Sequence, residues 1–213
     1  MMDPESIDVI MCTWNSNKSY FRKCLLSIKR EIGIHHFILV DRYSSDGTLE
    51  VVQSIFPNVK IFQTVANLAS ARKIGITLVD TRYFAFIDDD IEVSEGWFAE
   101  LISLIKSRKQ IGAIQGSVRY YVDYLEKARA RAQRFGLIRR KVHTKEITGR
   151  GLTNNTVILT EIVRDFNPPS IIHSWEDFLI TQHVTKKGYK WLEIDTAKVI
   201  NYGDFDSSYL GEP

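Results

Sequence analysis

Tyr83-Phe84-Ala85-Phe86-Ile87-Asp88-Asp89-Asp90 is an unbroken apolar run that stops against three adjacent carboxylates. A strand exposed on one face would alternate apolar and polar residues, so a continuous run reads as a strand covered on both faces. The aspartates then mark its carboxyl end. Working outward, the same pattern recurs. Ile7 to Thr13 is an apolar, β-branched run followed by Trp14-Asn15, Phe37 to Val40 ends in Asp41, Val59 to Phe62 follows, and Ile111 to Val118 comes after the aspartates. Helical stripes separate these runs. Phe21, Cys24, Leu25, Ile28 and Ile32 recur at helical spacing, with Asn15 to Asn17 expected to cap them. The turn Ser44-Ser45-Asp46-Gly47 leads into a helix through Val51, Val52 and Ile55 that Pro57 closes. Leu68 to Leu78 forms another, where Ala69 and Gly75 permit close approach, and Trp97, Phe98, Leu101, Leu104 and Ile105 mark a fourth. Buried strands alternating with helices predict an α/β fold, a mostly parallel central sheet with helices on both faces.

The rhythm changes after the fifth strand. Lys127, Arg129, Arg131, Arg134, Arg139, Arg140 and Lys141 make this region basic. Thr156 to Leu159 then reads as a strand, with a short helix ending near Phe166 and a loop through Pro168-Pro169. A helix starting at Glu176 ends at Gly188, a natural left-handed cap, and Trp191 to Ile194 and Lys198 to Ile200 read as two short strands.

With 213 residues, 44% of them hydrophobic and 25% charged, the chain can bury a full core, and a single domain over 1–213 is expected. Cys12 and Cys24 are too few for a disulfide scaffold or a zinc site and read as small core residues, which fits a reducing, cytoplasmic compartment. Met1 to Ser6 is polar and acidic, unlike a secretory leader. No apolar run approaches the roughly 20 residues that span a bilayer, so membrane contact is expected only as peripheral association at the cytoplasmic face.

In open α/β sheets ligands bind beyond the carboxyl ends of the strands. Polar residues just after the apolar runs (Thr13 and Asn15, Asp41, and Asp88 to Asp90) would therefore share one rim. Three neighbouring carboxylates raise one another's pKa unless a cation lies between them, and Mg²⁺ or Mn²⁺ prefers such oxygen ligands. A divalent ion there also stabilises a departing diphosphate. A solvated turn is the plainer reading of the same residues. Asp41 suits either a turn or an acceptor for nucleobase or ribose hydrogen bonds. Glu176-Asp177 suits either the first turn of a helix, favoured by its dipole, or a general base, with Trp175 and His173 shaping an acceptor pocket.

Taken in order, these segments resemble glycosyltransferase family two, which adopts the GT-A fold. The resemblance lies in IDVIMCTWN, FILVDRYSSDGT, NLASARKIGI, FAFIDDDIEVSEGW, TNNTVILTEIVRDF and SWEDFLITQHVTKKGYK, from about Ile7 to Trp191. It implies that Thr13, Asn15 and Asp41 hold the nucleoside of a donor, with Asp46 and Arg72 nearer ribose and phosphates. Asp88, Asp89 and Asp90 would complete the donor site, Asp90 with Asp88 as the metal pair and Asp88 also meeting ribose or sugar. Asp177 would be the catalytic base, with Asn155, Trp175 and Glu176 on the acceptor side. Residues 7–118 would form the nucleotide-sugar half and 119–213 the acceptor half, with basic segment 127–145. The implied reaction is hexosyl transfer with inversion from a nucleoside-diphosphate sugar, UDP favoured and GDP or dTDP open, to a glycan or polyprenyl-phosphate acceptor. No nucleic-acid partner is expected. The chain departs from the pattern at Arg42, where a second acidic residue is frequent. It departs again at Val199 to Gly203, which lacks a histidine common in relatives.

Other classes fit less well. A nucleotidyltransferase needs a glycine-rich first loop, absent from Thr13 to Ser19, and a dinucleotide-binding dehydrogenase needs a glycine motif after the first strand. A haloacid-dehalogenase phosphatase would carry its aspartates after strand one. A non-catalytic sugar-nucleotide or glycan binder remains an alternative. The basic segment reads as a solvated face or as a surface for anionic membranes, with Leu125, Phe135 and Ile138 interleaved.

Overall fold

The computed structural model describes residues 6–120, 143–169, 171 and 175–203. The basic run from Lys127 to Lys141, its interleaved apolar residues and His173 lie outside them.

The first half is β1 (Ile7–Thr13), α1 (Phe21–Glu31), β2 (Ile34–Asp41), α2 (Thr48–Ile55), β3 (Lys60–Gln63), α3 (Leu68–Thr77) and β4 (Tyr83–Ile87). There follow β5 (Ile91–Val93), α4 (Trp97–Ser107), β6 (Ile111–Tyr120), β7 (Thr144–Glu146), β8 (Asn155–Leu159), α5 (Thr160–Val163), α6 (Glu176–Lys186) and β9 (Lys190–Asn201). The strands form one sheet in the order β3-β2-β1-β4-β8-β6-β9-β5, with β7 beside β9. The chain steps from β1 through β2 to β3, then returns to the far side of β1 for β4. Right-handed crossovers place α1 and α2 on one face and α3 on the other. Consistently, α1 packs on α2, while α3 packs on β1 and β2. The reversal puts a crevice beyond the ends of β1 and β4.

Pairing is parallel along β3-β2-β1-β4 and again between β6 and β9. Strand β8 joins these blocks by pairing antiparallel with both β4 and β6. The two short strands expected after Gly188 are one strand, β9. Gly116 pairs Ile194 and Ser117 pairs Lys198, so Asp195 to Ala197 are accommodated as an irregularity in a continuous ladder. Asn15 to Asn17 do not cap α1, which begins at Phe21 after Tyr20 without a side-chain cap. Their bonds go instead to the loop after β2.

The core is continuous from Ile7 to Val199, with Trp97 and Trp191 wholly buried. Cys12 and Cys24 are free thiols, Cys24 buried within α1. Among the described residues no helix is long and apolar enough to cross a membrane.

Candidate active site

Strand register brings the first polar group together. Thr13 lies opposite Asp41, and Asp41 opposite Gln63. Asp41 is buried, and its Oδ1 accepts from Thr13 Oγ1 at 2.9 Å and Ser44 Oγ at 2.5 Å. Its Oδ2 accepts from the Ser44 N–H at 2.9 Å and Gln63 Nε2 at 3.1 Å. Burial pushes the Asp41 carboxyl up, but the bonds from Ser44, Gln63 and Thr13 outweigh it and hold the pKa below its ordinary value.

Asn15, in the left-handed region at φ 50°, donates its N–H to Ser44 Oγ and accepts from the Ser45 N–H. Asp46 is exposed, and its oxygens accept from the Asn17 N–H and from the N–H and hydroxyl of Thr48. These two side chains stitch the β1 and β2 loops into one wall. Beside it a cavity of about 190 Å³ is lined by Cys12, Thr13, Trp14, Asp41, Arg42 and Ala71, among others. Trp14 is 62% exposed at the lip, and the Arg42 guanidinium lies 4.8 Å from its ring centroid. Arg42, noted in the sequence as a departure, thus stacks on an aromatic face.

Arg72 connects the second and third groups. It is only 2% exposed and rises from α3 over the Phe86 ring, 5.1 Å from the centroid. Its Nη2 donates to Asp88 Oδ1 at 3.0 Å, and its Nε stands 3.5 Å from Glu176 Oε1. The Glu176 contact is an ion pair without hydrogen-bond geometry, so Nε and Nη1 are buried donors without a hydrogen-bond partner. Burial alone would lower the Arg72 pKa; Asp88 and Glu176 outweigh it and raise it. Asp88 is therefore turned toward Arg72.

Asp89 is pushed up to about 6, first by burial and then by Asp88, against a hydrogen bond from Ser16. Asp90 lies where the end of β9 returns. Ile91 pairs Asn201, the Tyr202 N–H donates to the Asp90 carbonyl at 3.0 Å, and a methyl on Gly203 would collide with Asp90 Oδ2. The histidine-free stretch Val199 to Gly203 thus meets Asp90 directly. It is held there by Tyr20 stacked on Tyr202 and by a Lys23–Glu92–Tyr202 cluster. Asp89 and Asp90 supply hard oxygen donors with little competing positive charge, and so fit Mg²⁺ or Mn²⁺.

The third group opens α6. Glu176 is 7% exposed, and Asp177 is buried beside it. Asp177 Oδ2 accepts from Arg150 Nε at 2.6 Å, and its Oδ1 from the Phe178 N–H at 2.7 Å. The Arg150 guanidinium lies 5.2 Å from the Trp175 ring centroid. Trp175 itself is 59% exposed with φ 69°, an uncommon conformation for a bulky residue. Asn155 does not join this face. It is wholly buried, accepts from the Gly116 N–H at 2.7 Å and donates to Asn154 Oδ1, so it locks β8 to β6.

Cys12 shows how close these groups come. Burial pushes its thiol up to about 12, with Arg72 opposing and Asp88, Asp89 and Glu176 adding to the rise. A separate cluster of Asp8, His35 and His36 lies at the opposite edge of the sheet. Asp8 is buried there and accepts from His36, Asp80 and Thr81 N–H groups, which makes it a brace between β1, β2 and the turn before β4. Sequence reading missed Arg150, Ser16 and Gln63. Arg150 was one cation in a basic run, Ser16 one polar loop residue, and Gln63 the polar end of a short edge strand.

A sheet that reverses at β1 and β4, with a base-sized pocket on one side and aspartates on the other, defines the GT-A class of fold. The sequence pattern of glycosyl transferase family 2 matches residues 8–165, and the chain belongs to that family. No curated protein matches it in sequence. It superposes on the crystal structure of S. aureus TarS 1-349 with TM-score 0.67 at 15% identity, covering 91% of this chain and 59% of that one. TarS 1-349 in complex with UDP-GlcNAc gives TM-score 0.67 at 15% identity, with coverages of 91% and 57%. A mycobacterial protein gives TM-score 0.66 at 12% identity, with coverages of 96% and 70%. The chain thus spans about three fifths of TarS 1-349.

Proposed function

We propose that this protein transfers a sugar from a nucleoside-diphosphate sugar to an acceptor hydroxyl with inversion, in a reaction that needs Mn²⁺ or Mg²⁺. The observation that carries the reading is Arg72, which ties Asp88 at the end of β4 to Glu176 at the start of α6, beside the Cys12–Asp41 pocket. Three carboxylate groups distant in sequence thereby border one crevice.

The base and ribose enter the pocket between Trp14 and the Thr13–Asp41 wall. Asp41 is already saturated with four internal hydrogen bonds, so it shapes this wall, and the Thr13 it holds lines the pocket beside the nucleoside. Arg72 would lie on the phosphate side. Asp89 and Asp90 would hold the metal, which when bound offsets the charge that gathers on the diphosphate. The acceptor oxygen bonds to the anomeric carbon from the face opposite the departing oxygen. The bond from that carbon to the diphosphate breaks, its electron pair stays on the diphosphate, and the hydroxyl proton passes to Asp177. UDP is favoured as the nucleotide because TarS, of the same fold, binds UDP-GlcNAc. A single-domain catalytic unit, and peripheral contact of the basic segment with anionic membranes, belong to the same proposal.

Thermal shift with UDP-, GDP-, dTDP- and CDP-sugars, with and without Mn²⁺, tests it. One nucleotide should raise the melting temperature, and only with metal; at a hundredfold excess over Kd the gain is about 2.7 kcal/mol. Asp177→Asn should keep that shift and lose transfer. Stabilisation by every nucleotide without metal, or full transfer by the variant, would refute the proposal.

A further inference from the structure

Two carboxylates open α6, and each has its own arginine. Glu176 pairs with Arg72, which is buried and also tied to Asp88. Asp177 pairs with Arg150, which is different in kind. Arg150 is 50% exposed, comes from the loop between β7 and β8, and lies over the open face of Trp175. Its Nε donates to Asp177, and among the described residues neither terminal nitrogen is engaged in a hydrogen bond. The result is a planar fork of donors resting on an aromatic plate, directly over the carboxylate assigned as base.

We propose that the acceptor carries an anionic group, a carboxylate or a phosphate, close to its attacking hydroxyl, and that Arg150 binds this group and in doing so leaves Asp177 free. The inference rests on the reading of Asp177 as base. A guanidinium fork matches both oxyanions in bidentate geometry, and a sugar ring can lie on Trp175 beside it. Arg150 gives up one carboxylate and gains another anion, so its own charge stays paired, while the buried Asp177 carboxylate is uncovered. Asp177 is then able to take the acceptor proton. Without an anion in place, Arg150 stays on Asp177 and water gains no base, which limits wasteful hydrolysis of the donor.

The test uses the full chain with Mn²⁺ and the donor selected by thermal shift. Methyl β-glucuronide, glycerol 3-phosphate and neutral methyl β-glucoside are titrated while Trp fluorescence is followed, with Trp175→Phe as the reporter control. The expected result is a signal with at least one anion, absent in Trp175→Phe, at a concentration where the glucoside gives none. Which anion binds more tightly separates the carboxylate acceptor from the phosphate one. Arg150→Gln should weaken that binding about tenfold or more and raise donor hydrolysis by a similar factor, as expected for losing a charge-assisted bond. Arg150→Lys should recover part of the binding. Equal response to the glucoside and both anions, no response to either anion, or unaltered anion binding in Arg150→Gln overturns the inference. Asp177→Asn separates the two claims: if it abolishes transfer while Arg150→Gln behaves as wild type, the base stands and the anion site falls.

Discussion

Replacing Arg72 by Met removes the positive charge that bridges Asp88 and Glu176 while keeping most of the aliphatic stem. Breaking a buried ion pair from one side costs about 3–5 kcal/mol, because the partner is left buried and charged. Glu176 qualifies fully, being 7% exposed. Asp88 has a side chain one third exposed at 33%, so water takes up part of its charge. The lower end, about 3 kcal/mol, is therefore expected. For a chain of this size that is a fall in Tm of about 6–12 °C. Urea unfolding gives the free energy, and a cycle with Glu176→Gln gives its source. If the cost comes from a stranded glutamate, the double variant should regain about 1 kcal/mol or more, a coupling typical of contacting charges. A loss below about 1 kcal/mol in Arg72→Met, or strict additivity in the double variant, would show that this arginine does not hold α6 to the end of β4.

Gly203→Ala should leave metal-free stability within about 0.5 kcal/mol, since its new methyl meets the side-chain ends of Asp90 and Asn201 rather than backbone, yet weaken Mn²⁺ binding about tenfold or more; equal Mn²⁺ titrations would refute it. Asp41→Asn should cost about 1–3 kcal/mol at pH 7 through its four hydrogen bonds. Because the folded pKa of Asp41 lies below its unfolded value, its stabilisation is present above about pH 4 and lost as the pH falls through the folded value. The gap between wild type and Asp41→Asn should therefore close in acid, and a constant gap from pH 7 to pH 3 would count against it. Gly75→Ala places a methyl 2.5 Å from Ile10 Cγ2, a stiff β-branched group in the core. The helix gains about 1 kcal/mol and overpacking costs about 1–3 kcal/mol, so a net loss near 1 kcal/mol is expected in urea unfolding, and a net gain would refute the close approach.

The first half of the fold could be read from sequence because β1, the later part of β2 and β4 are apolar runs covered on both faces, and every crossover is a helix with its own stripe. Tyr83–Ile87 is found with the bounds its composition dictates, since aspartates can only begin where burial ends. Strand β5 left no such trace. Three residues, Ile91 to Val93, are too few to establish a period, and their pairing partner lies over a hundred positions later, at Val199 to Asn201. The site divides along the same line. Thr13, Asp41 and Asp88 to Asp90 stand at or just beyond strand ends, where local pattern fixes position. Arg150 and Ser16 belong to loops, whose side chains are aimed by tertiary contacts and carry no periodic signal. Asn155 shows the converse error. It sits at a strand end in a matching motif, yet Gly116 has no side chain to keep it away, so its amide turns inward to the β6 backbone and is spent on holding two strands together.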